Sequence, residues 1–340
     1  MNRSIYIYSK KNLNSSLQNI ESLFNFLRNN EDTEIIYSDN SKDEKKDKFF
    51  FENNEKNFVY YKSPYDVDFL NYLDCLKKTK GNFICSLNED NKISILSDAT
   101  NHYDVKNVVG FRPNILDVNE NGIKEFSNFG IESDQPIDRI IEYSKKNKAN
   151  NSTFLSFFKK EMVHLTMELT LKYHPFKEVG YFDWAIVLFY VTQGFIIQEK
   201  NLLIINNNFT NMNSNLGNQS LKQTDFSNAG FDERLDKYFL LLLAYDCYIY
   251  ILQKNSILDI NTKKDLAEKV MYNFLNEFLI GLKNSINSLN IEEVKIINEI
   301  SSCNNINDYF LNLFKILDLF APGVAEKYND FLFHATGNKI

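Results

Sequence analysis

Arginine is scarce in this chain of 340 residues: only Arg3, Arg28, Arg112, Arg139 and Arg234 occur, and all basic residues together number 38 against 45 acidic ones. The net charge of −7 argues against a general nucleic-acid binder, which carries a basic excess on its binding face. Cysteine is nearly as sparse. Cys75, Cys85, Cys247 and Cys303 lack metal-ligand spacing and are too few for a disulfide framework, so a reducing, cytoplasmic setting is expected. The histidines, His102, His164, His174 and His334, form no H-x-x-x-H pair, and no zinc site is expected. Long apolar runs are missing too, since no window reaches the ~18 residues that span a bilayer. The nearest, Tyr238 to Leu252, is interrupted by Asp246 and reads as a buried helix. The opening MNRSIYIYSKKN is too short in its apolar part for a signal peptide and reads as a first strand.

What the chain has in quantity is aromatic side chains, with 29 Phe and 19 Tyr, enough to build a large core. SIYIYS, residues 4–9, alternates as a strand does, and the apolar stripe Leu13, Leu17, Ile20, Leu23, Phe24, Leu27 has helical spacing. TEIIY, residues 33–37, is a buried-type strand. Strand, helix, strand opens a right-handed parallel unit. The charged stretch 41–57 reads as a solvated loop broken by a short strand at Phe49–Phe51, and Phe58 to Tyr61 as a further strand. Asp68 to Lys78 is a candidate helix and Asn82 to Leu87 a buried strand ending in Asn88-Glu89-Asp90-Asn91. Residues 97–151 read as loop-rich with short apolar pieces at Val108–Phe111 and Ile115–Val118, 152–171 as helix, 180–194 as a second helix and 195–206 as a strand pair. This predicts an α/β domain over 1–208, a polar linker over 209–229 and a helical region over 230–340.

Three segments, in order, carry a family resemblance. EIIYSDNS (34–41) is similar to the strand-then-D-[DN]-x-S signature of the large family 2 group of inverting A-type glycosyltransferases. GNFICSLNEDN (81–91) looks like that family's D-x-D-bearing segment, and GYFDWAIVLFYVTQG (180–194) resembles its G-x-x-E-D-[WY] helix start. The resemblance covers about residues 1–208. It implies a GT-A-like, Rossmann-related, mostly parallel sheet, a nucleotide-sugar donor, and a glycan, lipid-linked or other hydroxyl acceptor. By position, Asp90 matches the second aspartate of the metal motif and Asn88 stands in the first one's place, implying Mn²⁺ or Mg²⁺ held by hard oxygens against the leaving diphosphate. Asp39 matches the nucleotide-contacting acid, with Asn40 beside it. Glu89 is the middle residue of the motif and, by the same resemblance, a contact of the donor, and Asn91 sits where a further aspartate is frequent. Asp183 matches the general base that takes the acceptor's proton, with Trp184 as a sugar platform. The chain departs from the pattern at Asn88, at Phe182, where an acid is usual, and after the first strand, which lacks the usual proline.

Blander readings compete at each position. Asp90 and Asp39 also suit turns, Asp183 suits the electropositive start of any helix, and Trp184 suits a core. Lys45, Lys46, Lys48, Lys159 and Lys160 read as solvated faces, and His164 and His174 as helix-face and turn residues. Arg112, in GFRPN, is expected in a rigid loop where its guanidinium would reach a diphosphate. Two rivals to an active transferase remain: a nucleotidyltransferase, which would want a glycine-rich loop where this chain has SKKNLNSS, and a degenerate binding subunit. The helical region is expected to shape the acceptor site, or to serve oligomer or membrane-surface contact at the inner face of a membrane.

Overall fold

The computed structural model describes residues 2–65, 68–96, 107–119, 122, 124–147, 151–179, 181–209, 225–284, 290–303 and 305–337. Contacts divide the chain into two compact units, Met1–Met167 with Gly194–Asn211, and Glu168–Gln193 with Met212–Ile340. Most of the expected linker, residues 210–224, lies outside the described residues.

The first unit is built on one mixed sheet. Its elements run β1 (Arg3–Ser9), α1 (Leu13–Arg28), β2 (Thr33–Asp39), α2 (Glu44–Glu52), β3 (Phe58–Lys62), α3 (Asp68–Lys78), β4 (Phe83–Asn88), β5 (Lys92–Ile95), β6 (Val108–Asn119), β7 (Lys124–Ser127), α4 (Pro136–Asn147), a 3-10 turn (Ser152–Leu155) and β8 (Phe157–Lys159). There follow α5 (Lys160–Tyr173), α6 (Asp183–Gln193) and β9 (Phe195–Phe209), of which β9 returns to this sheet. The strand order is β3-β2-β1-β4-β8-β6-β9-β5, with β7 beside β6. The strands at 4–9, 33–38 and 82–87 are neighbours as expected: β1 pairs parallel with β2 and β4, setting Ser9 against Asp39 and Tyr8 against Asn88. β3 extends this parallel half, while β8, β7 and β5 join antiparallel.

β1 and β2 are buried along nearly their whole length, as central strands covered on both faces are. On one face Ile5, Ile7, Ile35 and Tyr37 meet Ile20, Leu23, Phe24 and Leu27 of α1. α1 starts cleanly because Asn12 accepts the Ser15 N–H at 3.0 Å. Asp43 caps α2 through the Lys45 N–H at 3.0 Å and also takes the Leu13 N–H at 2.8 Å, so one carboxylate ties two helix starts together.

Several local expectations need correction. Phe49–Phe51 is helical, not a strand. The capped helix α2 points Lys46 and Phe50 inward, four residues apart, and leaves Phe51 89% exposed. The two apolar pieces at 108–118 are one strand, β6, and the expected strand pair at 195–206 is also a single strand, β9. The two lie parallel with register shifts that absorb the irregularities. Residues 152–159 form a 3-10 turn and a short strand before α5 begins.

The second unit is helical. It contains the end of α5, then α6, α7 (Asp225–Asn228), a 3-10 turn (Glu233–Tyr238), α8 (Phe239–Leu252), α9 (Ile260–Asn284), α10 (Ile291–Ser302), α11 (Ile306–Phe320) and α12 (Val324–Thr336). α8 is a buried central helix, as its sequence predicts, with Leu241 to Cys247 all buried. Its one acid, Asp246, is fully buried. Asp246 accepts from Tyr328 at 3.1 Å and lies 3.1 Å from His174 Nε2, while His174 Nδ1 accepts the Phe176 N–H at 3.1 Å. His174, at the turn after α5 as expected, is buried and serves as an internal partner. Among the described residues no helix is long and apolar enough to cross a membrane.

At Gly81, just before β4, an added Cβ would lie 2.4 Å from the Arg3 carbonyl carbon and 2.6 Å from Ser4 N. Gly81→Ala forces β1 and the approach to β4 apart. It is expected to cost about 1–3 kcal/mol in urea unfolding, the range for overpacking a close contact; an unchanged midpoint would show that this edge yields freely.

Candidate functional site

The carboxyl ends of β1, β2 and β4 lie side by side, which in open α/β sheets is where ligands bind. Three short segments meet there: Ser9–Asn12, Asp39–Ser41 and Asn88–Asn91. The Asn40 N–H donates to Ser9 O at 2.8 Å, closing the first two together. The Asn88 N–H donates to Asn91 Oδ1 at 2.7 Å and Asn91 N to Asn88 O at 3.0 Å, which makes a tight turn of the third. An amide chain anchors that turn: Asn91 Nδ2 donates to Asn206 Oδ1 at 2.9 Å, Asn206 Nδ2 to Asp117 Oδ1 at 2.8 Å, and Asn207 Nδ2 to Asp90 O at 2.8 Å.

A lysine sits among the carboxylates. Lys46, read from the sequence as solvated, is fully buried. Its ammonium lies 3.0 Å from Glu89 Oε1 and 3.2 Å from Asp39 Oδ1, and it donates to Lys11 O at 2.9 Å and to Ser9 Oγ. Glu89 also accepts from Tyr37 Oη at 2.7 Å, from the Lys10 and Lys11 N–H groups at 3.2 and 3.0 Å, and from Ser9 Oγ. Burial beside this carboxylate pushes the Tyr37 phenol far up. Glu89, expected to contact the donor, thus has both oxygens turned inward and taken.

Asp39 is equally enclosed. It accepts from Lys62 at 2.8 Å, Tyr60 Oη at 3.0 Å, and the Ser41 N–H and Oγ at 3.1 Å each. Burial pushes its carboxyl up, but the Lys62 bond, the Lys46 charge and the two Ser41 bonds outweigh this and hold it below the ordinary aspartate value. Asn40 is half-buried and Asn88 exposed. Asp90 is partly exposed and ion-paired with the Lys11 ammonium.

The donor set of this turn does not fit a divalent cation. Mg²⁺ or Mn²⁺ wants several hard oxygens in near-octahedral array. Here Glu89 is committed internally, Asp90 is neutralised by Lys11, and Asn88 brings a neutral amide. Among the described residues no group of three or more His, Cys, Asp or Glu is placed to hold a metal.

Arg112 needs a positional correction. It lies inside β6, not in a loop, and is fully buried. Its guanidinium donates to Ser127 Oγ at 2.6 Å and Ser152 Oγ at 2.8 Å and stacks 3.8 Å from the Phe129 ring. Burial pushes it down to about 10. In the second unit, Asp183 is the first residue of α6 and Trp184 the second, both half-buried, while Phe182 before them is buried. Sequence reasoning missed Lys46, Lys62 and Tyr37. The signal for Lys46 is its place with Phe49 and Phe50 on one face of α2, visible only once that stretch is read as a helix.

No family model and no curated protein matches the chain. Solved structures do. S. aureus TarS 1-349 aligns with a TM-score of 0.53 at 12% identity, covering 98% of this chain and 87% of that one. A longer S. aureus TarS structure aligns at 0.52 and 13% identity over 98% of this chain but 52% of its own, so the chain spans about half of it. TarS 1-349 in complex with UDP-GlcNAc aligns at 0.51 and 12% identity, with 98% and 87% covered. Likeness at such identities establishes the fold. The chain has the GT-A-like fold of glycosyltransferases, with a helical C-terminal region.

Two measurements probe this edge. Lys46→Met leaves Glu89 and Asp39 buried without their shared cation, and a loss of about 3–5 kcal/mol in urea unfolding is expected. Retained stability would mean that the cluster relaxes into water. Because the folded pKa of Asp39 is depressed, its contribution is complete above the unfolded value of about 3.9 and is lost as pH falls through the lower folded value. The stability gap between wild type and Asp39→Asn should therefore be full at neutral pH and close below about pH 4. A gap that widens in acid would reverse this assignment.

Proposed function

We propose that the chain is a nucleotide-sugar glycosyltransferase that transfers with inversion to a hydroxyl of a glycan or lipid-linked acceptor. The observation that carries this reading is the meeting of Ser9–Asn12, Asp39–Ser41 and Asn88–Asn91 at the carboxyl edge of the parallel half of a GT-A-like sheet. In that role Asn40, Asn88 and the side chains of Lys10 and Lys11 face the donor. Asp39 and Glu89 act behind them, as the internal acids that hold the loops in place. Glu89 occupies the backbone N–H groups of Lys10 and Lys11. This counts against a nucleotidyltransferase, which needs the amides after its first strand for phosphate.

Asp183 is the proposed base. It is the first residue of α6 and half-buried, with Trp184 directly after it. The acceptor hydroxyl gives its proton to Asp183 as its oxygen attacks the anomeric carbon and the nucleoside diphosphate departs. A second reading, a binding subunit that takes a nucleotide without turning over, is favoured by the Lys11 pairing of Asp90 and by buried Phe182 where the resemblance implies an acid.

UDP-GlcNAc is the first donor to test, since a neighbour of the same fold was solved with it. A nucleoside diphosphate that binds only the folded chain raises its melting temperature, and a chain unmoved by the diphosphates of uridine, guanosine, adenosine, thymidine and cytidine would end the nucleotide reading. Asp183→Asn is expected to lower turnover by at least roughly a hundredfold, the usual scale for losing a general base, with nucleotide affinity nearly unchanged. Turnover that survives the change would remove Asp183 from the mechanism, and binding without transfer in the wild type would favour the subunit reading.

A further inference from the structure

We infer that this chain neutralises the donor diphosphate with the lysine side chains of the β1–α1 loop, Lys11 foremost, and requires no divalent cation. The inference rests on the nucleotide-sugar reading above and concerns the same site.

Charge around the Asn88–Asn91 turn is already balanced by ammonium groups. Lys11 pairs with Asp90 at the surface, where their side chains are 42% and 24% exposed, so both stay within reach of a ligand. Glu89, the only other carboxylate of the turn, is held by Lys46, Tyr37, Ser9 and two backbone N–H groups. A metal ion would have to displace the Lys11 ammonium and then complete its shell around one carboxylate and one neutral amide. A diphosphate meets the opposite situation. Its oxygens outcompete the single charge of Asp90 for a mobile, strongly hydrated ammonium, and Lys11 can turn from one to the other with little backbone change. Lys10, exposed beside it with its ammonium 5.4 Å from the Tyr8 ring, adds a second cation. The loop's backbone N–H groups cannot serve, because Glu89 occupies them, so the side chains carry the binding.

Isothermal titration of the full chain with UDP, and with the other four nucleoside diphosphates, would be run in excess EDTA and again with Mn²⁺ or Mg²⁺. Affinity for the nucleotide that binds is expected to be the same within about twofold in all three conditions, a difference well below one charge-assisted hydrogen bond. Lys11→Ala should weaken it at least about tenfold in EDTA, the scale of one lost hydrogen bond to a charged group. With the Lys11 ammonium gone from Asp90, Mn²⁺ should recover part of the loss. Asp90→Asn frees Lys11 and should hold or tighten affinity in EDTA, whereas a metal-ligand role for Asp90 would make it weaken affinity in Mn²⁺. Binding that needs Mn²⁺ in the wild type, or that ignores Lys11→Ala while the variant's melting curve stays intact, overturns the inference and leaves the nucleotide reading standing. If no nucleotide binds in any condition, both fall.

Discussion

The buried ammonium of Lys46 is the contact on which the carboxyl edge of the sheet depends. It reaches from α2 to Ser9 and Lys11 after β1, to Asp39 at the end of β2, and to Glu89 after β4, so one cation binds the ends of three strands. A charge with no solvent exposure survives only when its neighbours repay the lost hydration, and two carboxylates, a hydroxyl and a carbonyl do so here. The position of α2 follows from the same demand. Asp43 caps it and at the same time holds the start of α1, while Phe50 seats its apolar face against Tyr37, Phe58 and Tyr60.

Around this tie the edge sorts its acids by depth. Glu89 and Asp39 lie inside and are fully engaged; Asp90 lies outside and shares Lys11. The inner pair sets the loops, and the outer pair is what a ligand would meet. Glu89 fills the amide cradle that precedes α1, a place where many α/β proteins bind an anion from solution, so this chain carries an internal anion there as part of its own sequence.

The parallel core was readable because β1, β2 and β4 carry continuous apolar runs and α1 a clear helical stripe, signals that depend only on neighbours along the chain. Asp39, Asp90 and Asp183 were likewise placed at the ends of the correct elements. The inward turn of Glu89 was not readable, since its partners come from residues 9–11, 37 and 46. In the linear sequence Lys46 is indistinguishable from Lys45 and Lys48 until α2 is recognised as a helix. Three consecutive phenylalanines at 49–51 suggested a strand, and the capped start at Asp43 overrode that preference. Arg112 misled for a related reason: Gly110 and Pro113 suggest a turn, yet β6 runs through both, paired with β9 and shifting register on either side.

The path of the chain between its two compact units has a consequence for dissecting the protein. Residues 168–193 belong to the helical unit, yet β9, directly after them, returns to the sheet and lies between β6 and β5. A fragment ending before β9 would leave β5 and β6 without the strand that joins them. One ending just after β9 would complete the sheet but carry α6, buried from Ala185 to Gln193, stripped of the α8 helix it packs on. No single cut yields two self-sufficient pieces. On the ribosome, the sheet can be completed only once residue 209 has emerged, and α6 must wait longer still, an apolar helix needing shelter until α8 has been made.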